Sequence, residues 1–187
     1  MAKSTKSPHI ALLRGINVGG KNKLPMASLV PLFVEAGCRQ VRTYIQSGNV
    51  LFLCSDAVAK KLPDQVSAAI KKSFGLGVPV ILRSLAELSH AAQNNPYLKD
   101  QVDPKQLQLM CLADKPSAKQ IAALDARRSP PDSFVVQGRD IYLNLPNGAA
   151  RSKLSNAYFD SKLQTVSTAR NWNTVLKLME LASELDA

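Results

Sequence analysis

The chain has 187 residues, 45% of them hydrophobic and 20% charged, a composition ordinary for a soluble globular protein of one large or two small domains. Wholesale disorder and a disulfide scaffold are excluded, and no run approaches the ~18 apolar residues of a membrane span. The 24 basic and 14 acidic residues leave +10, and the excess is one-sided. Residues 1–83 hold 12 Lys/Arg against 3 Asp/Glu, whereas residues 84–187 hold 12 against 11. Such a field attracts anions.

In chain order, Met1–Pro8 is polar, without the apolar core of a signal peptide, and reads as a short tail. His9–Arg14 is a short apolar strand followed by a Gly/Asn/Lys loop. Pro25 suits the first turn of a helix carrying Met26, Leu29, Val30 and Phe33, which Gly37 stops. Val41–Ile45 and Asn49–Cys54 are strands joined by Gln46-Ser47-Gly48, a hairpin signal. Val58, Leu62, Val66, Ile70 and Phe74 form a helical stripe, and Pro63 sets the firm start near Leu62. Val78–Arg83 is a strand and Leu85–Gln93 a helix.

The second half repeats that order. Leu107–Leu112 is a strand, Pro116–Ala126 a helix, and Phe134–Gln137 and Asp140–Leu145 are strands around Gly138-Arg139. Ser152–Leu163 is a helix, Thr165–Ser167 a short strand, and Asn171–Leu185 a closing helix with Trp172 in its core. The order β-α-β-β-α-β, met twice, predicts an α+β fold of two ferredoxin-like halves with antiparallel-rich sheets and extra helices. The halves are residues 1–94 and 106–187, joined by a linker over 95–105. Val50-Leu51-Phe52-Leu53 is apolar on both strand faces, so the sheet is expected to be covered on both sides.

Cys38, Cys54 and Cys111 are widely spaced, with no C-x-x-C and no Cys/His cluster. They read as free buried thiols in a cytoplasmic protein, and neither a metal nor a cofactor is implied.

Four polar segments could carry chemistry. In the first, Gly15 to Lys21 match the phosphate-binding G-x-x-x-x-G-K, but Asn22 stands where that motif needs Ser or Thr for Mg²⁺, and the parallel β-α-β context is missing. A nucleoside triphosphatase is therefore disfavoured. A narrower reading survives: Asn17, Gly19, Gly20, Lys21 and Asn22, with Arg14, present amides and charge to an anion beside a helix start. The plain alternative is that the glycines only permit a tight strand-to-helix loop.

The second segment places Arg170 before a helix start with Asn171, Asn173 and Thr174 as caps, a seat for an anion. Its alternative has Arg170 bound to the protein's own carbonyls. In the third, Lys153 lies in the first turn of a helix capped by Ser152, where a cation opposes the helix dipole. The fourth, Gln46, Ser47 and Asn49, offers uncharged hydrogen-bonding groups at a hairpin. A Ser47 triad would have to use His9 or His90 and is disfavoured.

ALLRGINVGGKNKLPM (Ala11–Met26), VRTYIQSGNVLF (Val41–Phe52) and TARNWNTVLKL (Thr168–Leu178) closely resemble the bacterial domain-of-unknown-function 1697 family. These segments lie towards both ends of the chain, so the resemblance spans nearly all of it. It implies an α+β fold with ferredoxin-like halves, and it implies no activity and no catalytic residues. Ala169 stands where the family pattern has Thr before the Arg, which removes one hydroxyl ligand.

The leading expectation is a phosphate-bearing or other anionic small molecule, bound in a basic cleft between the halves by the Gly15–Asn22 loop, the Arg170–Thr174 helix start and Lys153. Non-specific nucleic-acid binding through the basic half is one alternative. The first and third strands lack the aromatic stacking set of RNA-recognition modules. An enzyme acting on a phosphorylated small molecule, with Lys21 or Tyr44 moving protons, is the other. Oligomeric state is not legible.

Overall fold

The computed structural model describes residues 6–185; most of the polar tail read at Met1–Pro8 lies outside them. Eight strands and seven α-helices alternate along the described chain. The first four strands are β1 (Ser7–Leu13), β2 (Arg39–Tyr44), β3 (Asn49–Cys54) and β4 (Val80–Ser84). Helix α1 (Leu29–Glu35) joins β1 to β2, α2 (Asp56–Ala59) and α3 (Leu62–Phe74) join β3 to β4, and α4 (Leu85–Gln93) follows. Every pairing is antiparallel and the spatial order is β2-β3-β1-β4.

The second set is β5 (Leu107–Leu112), β6 (Ser133–Gln137), β7 (Asp140–Asn144) and β8 (Ser167–Asn171), in the order β6-β7-β5-β8 and again wholly antiparallel. Helices α5 (Ala118–Ala122), α6 (Asn156–Leu163) and α7 (Trp172–Ser183) complete it. Both sheets have the ferredoxin-like strand order, so the α+β expectation holds. Two compact units divide the chain. One runs to Ser89 and takes up Lys177 onward, and the other is His90–Leu176.

In the first unit Ala11, Leu13, Val50, Phe52 and Cys54 of the central strands pack with Leu29 and Phe33 of α1 and Leu62, Val66 and Ile70 of α3. Every residue of β3 is buried, as the absence of alternation requires. Helix α1 ends in a complete Schellman motif. Gly37 (φ +97) donates its N–H to the Val34 carbonyl and Cys38 donates to Phe33. Helix α3 has Pro63 in its first turn and closes on left-handed Gly75.

In the second unit Met110, Leu112, Ile141 and Leu143 pack with Leu154, Tyr158, Phe159 and Leu163. Trp172 is buried, the core role its spacing suggested.

Three sequence-derived elements are corrected here. The helix expected from Ser152 begins at Asn156. Ser155 caps it by accepting the Tyr158 N–H, and Leu154 before the cap shares a cluster with Phe159 in the manner of a hydrophobic staple. The helix expected over Pro116–Ala126 is only Ala118–Ala122, fixed by a Ser117/Gln120 capping box. The strand expected at Thr165–Ser167 runs instead over Ser167–Asn171, because left-handed Gln164 closes α6 and the Thr165 hydroxyl is tied to Asp114.

Candidate functional site

The Gly15–Asn22 segment is a miniature hairpin. Gly15, Asn17, Gly19, Gly20 and Asn22 all have positive φ. Val18 and Lys21 form an isolated bridge around Gly19-Gly20, whose φ values of +57° and +74° make a type I′ turn. Lys21 donates its N–H to the Val18 carbonyl, and Asn17 donates to the Asn22 carbonyl.

The two asparagines hold the loop. The Asn17 side-chain amide donates to the carbonyls of Leu24 (2.8 Å) and Gln46 (3.0 Å), while its oxygen accepts the Leu24 N–H. Asn22 donates to the Gly15 carbonyl. These groups are used inside the protein, as the plain reading of the loop has it. Across the bridge the Val18 N–H faces the Lys21 carbonyl, while the amide N–H groups of Gly19 and Gly20 have no protein acceptor among the described residues; Val18, Gly19, Gly20, Lys21 and Lys23 are all exposed.

The Asn17–Gln46 hydrogen bond joins this loop to the β2–β3 turn, so two of the four predicted segments meet. Gly48 makes the meeting close: its carbonyl accepts the Leu13 N–H at 2.8 Å, and a Cβ on it would lie 2.8 Å from Leu13 Cβ. Asn49 is fully buried, and its amide donates to the Tyr44 carbonyl and the Ser47 hydroxyl. Ser47 thus has a structural partner, and Gln46 stays exposed. Arg14 lies at the same end of β1, its N–H donating to the Pro79 carbonyl.

One support expected for the loop is corrected. The chain after Pro25 forms a single 3-10 turn (Met26–Ser28) and then the seven-residue α1, with no side-chain cap on either. Such a short helix contributes little dipole.

In the second unit Arg170 is a strand residue, not the start of a helix, and it is 8% exposed. Its guanidinium donates to the Thr168 hydroxyl and the Ala169 carbonyl, both at 2.8 Å. Burial pulls its pKa down to about 10, the Cys111 charge opposing only in part, so it remains charged at neutral pH. The helix starts at Trp172, and Asn171 accepts the Asn173 N–H. Asn173 is exposed and Thr174 half-buried. Lys153 is exposed but lies outside any helix. Its N–H donates to the Ser129 hydroxyl and its carbonyl accepts from Arg128, so the helix-dipole reason for singling it out falls away.

Sequence reasoning missed a repeat in these side chains. Arg83 occupies the place in β4 that Arg170 occupies in β8: next to last in the strand, then a capping residue, then a helix. Arg83 is 1% exposed and donates to the Leu82 carbonyl, as Arg170 does to the carbonyl before it. Aligning Leu82-Arg83-Ser84 with Ala169-Arg170-Asn171 would have found the pair. Among the described residues no group of three or more His, Cys, Asp or Glu could hold a metal ion.

The family model described as a protein of unknown function (DUF1697) matches residues 7–142. The chain belongs to this family. The match takes in the glycine loop and the β2–β3 turn but stops before Thr168–Leu178, so the DUF1697 assignment rests on the first two resembling segments. Among solved structures, a conserved bacterial protein, SP0830 from Streptococcus pneumoniae, is similar, with a TM-score of 0.73 and 20% identity over 96% of this chain and 100% of that one. At that identity the likeness is one of fold. None of the curated proteins matches this DUF1697 chain. No helix among its described residues is long and apolar enough to cross a membrane.

Proposed function

We propose that this DUF1697 protein binds a phosphate-bearing small molecule at the Gly15–Asn22 hairpin. The observation that carries the reading is the pair of unpartnered, exposed amides at Gly19 and Gly20 beside the exposed Lys21. Backbone N–H groups at a left-handed turn give an anion directional donors, and a nearby cation supplies the charge. The Asn17 anchor to Leu24 and Gln46 keeps the turn ordered, so little conformational entropy is lost on binding. The one-sided charge of residues 1–83 raises the local anion concentration.

Calorimetric titration with pyrophosphate, nucleotides and sugar phosphates tests the proposal. Lys21→Ala should weaken binding about tenfold, the worth of one charge-assisted hydrogen bond. Lys60→Ala, an exposed cation elsewhere on the same unit, should leave it unchanged. Equal losses in both variants would mean that only diffuse charge is read.

The exposed Arg39, Arg42, Lys60, Lys61, Lys71 and Lys72 favour a second reading, non-specific contact with nucleic acid. Its mark is a steep salt dependence shared among all these residues.

A further inference from the structure

Cys38, Cys54 and His9 come together across three adjacent strands of the first unit. Arg39 pairs with Leu53, so one step outward in the antiparallel register sets Cys38 opposite Cys54. Farther along, Tyr44 pairs with Asn49 and Arg42 with Leu51, and continuing that register without change would set Cys38 opposite Ser55 instead. The irregularity between Arg39 and Arg42, where Gln40 takes φ +50°, shifts the register by one and brings the sulfurs together. The Schellman motif of α1 holds Cys38 from the other side. Directly opposed strand residues have Cα atoms about 4.5–5.5 Å apart, within the span a disulfide bridges. Both thiols are free, buried and part of one core cluster.

Cys38 and Cys54 share one thiol proton, which favours ionisation of one sulfur and opposes that of the other. His9 Nδ1 lies 3.6 Å from Cys54 Sγ and 2.9 Å from the Ser7 carbonyl. His9 also lines a cavity of about 570 Å³, formed with Ser7, Pro8, Asp56, Ser84 and Leu85 among others. The Cys38 hydrogen bond is the largest influence on Cys54 and lowers its pKa; burial opposes, the His9 hydrogen bond and charge help, Asp56 opposes, and the result is about 5. Cys38 is driven the other way, by donating that bond and by burial. Burial lowers the His9 pKa, but the Cys54 hydrogen bond, the Ser7 carbonyl and the charges of Cys54 and Asp56 outweigh it and leave it raised. The same contact thus favours the Cys54 thiolate and the His9 imidazolium together.

We propose that Cys54 and Cys38 form a redox-active dithiol, with Cys54 as the peroxidatic thiolate, Cys38 as the resolving thiol and His9 as the proton donor. A small hydroperoxide reaches the buried Cys54 from the side of His9, which lines the cavity although neither sulfur does. The Cys54 thiolate attacks one peroxide oxygen, an S–O bond forms and the O–O bond breaks. The departing alkoxide or hydroxide takes a proton from the His9 imidazolium. Cys38 then attacks the sulfenic sulfur, the S–S bond forms, and water leaves with the Cys38 proton and the hydroxyl. Two thiols lose two electrons and the peroxide gains them. An external dithiol reverses the change by exchange.

The test treats the reduced, native full-length chain with hydrogen peroxide at pH 7, alkylates the remaining thiols and maps the digest by mass spectrometry. A Cys38–Cys54 linked peptide should form at least about tenfold faster than Cys111 is consumed, since Cys54 has His9 beside it and a resolving thiol opposite it. Cys38→Ser should trap a sulfenic acid on Cys54 with a 1,3-dicarbonyl probe, and His9→Gln should slow the linkage about tenfold. Consumption of all three thiols at one rate, or a linkage that forms only in denaturant, overturns the proposal. The parent chain reads both outcomes without any substitution. An unchanged rate in a folded His9→Gln protein overturns the mechanism as written.

Discussion

Asn17 and Gly48 show how single residues set the geometry of the candidate site. Asn17 stands at positive φ and uses both ends of its amide on Leu24 and Gln46, so a residue that the sequence marks as a ligand is an anchor. The sequence could not separate the two roles, because an amide that binds a phosphate and one that binds a backbone carbonyl look alike in one dimension. Gly48 has φ +80° and would press a Cβ against Leu13 and Ile16. Gly48→Ala should therefore cost about 2–3 kcal/mol, from backbone strain and overpacking together. Urea unfolding measures this, and a midpoint equal to the parent's would contradict it. Gly19 has open space around its Cβ position, so Gly19→Ala should cost only about 1 kcal/mol, the left-handed penalty alone.

Cys54 gives a second residue-scale prediction. Its folded pKa of about 5 lies below the thiol's ordinary 9.0. Stabilisation from ionising it is fully present above the unfolded value and is lost as pH falls through about 5. The thiolate ultraviolet absorbance of the parent minus that of Cys54→Ser should fall through that same pH. A fall near pH 9 would show an ordinary thiol.

At the scale of elements, the legible parts were those with strong local signals. Asn49–Cys54, Leu85–Gln93 and Leu107–Leu112 lie where apolar runs bounded by turn residues place them. The start of α3 at Leu62 follows from Pro63. The misread elements depended on distant partners. Strand β8 is polar in sequence (Ser-Thr-Ala-Arg-Asn), and it becomes a strand because β5 offers it a ladder from Leu112↔Ser167 to Gln108↔Asn171. The bulge at Gln40 was equally hidden, since counting back from the hairpin turn assumes an unbroken register. Gln164, exposed and left-handed at the end of α6, yields an element-scale prediction. Gln164→Gly should raise stability by about 0.5–1 kcal/mol, because glycine adopts that conformation without the Cβ clash. A lowered urea midpoint would contradict this.

At the scale of the whole molecule, the doubled β-α-β-β-α-β order was readable from punctuation alone, and both sheets carry it. The side-chain repeat was not, because Arg83 and Arg170 are surrounded by unlike neighbours and only their place in the strand is shared. The charge asymmetry was also readable, and it separates the two binding readings. A nucleic acid held by diffuse charge should lose affinity steeply with salt, with a slope that shrinks by a similar amount for each Lys or Arg neutralised in residues 14–42. A phosphate held at the Gly15–Asn22 hairpin should depend far more on Lys21 than on its neighbours. The most direct measurement is amide NMR of the isotope-labelled chain titrated with pyrophosphate at constant ionic strength. Saturable shifts should concentrate at Gly19, Gly20 and Lys21, and in Lys21→Ala they should need about tenfold more pyrophosphate. Shifts spread evenly over the exposed lysines, or none at all in the hairpin, would contradict an anion site there.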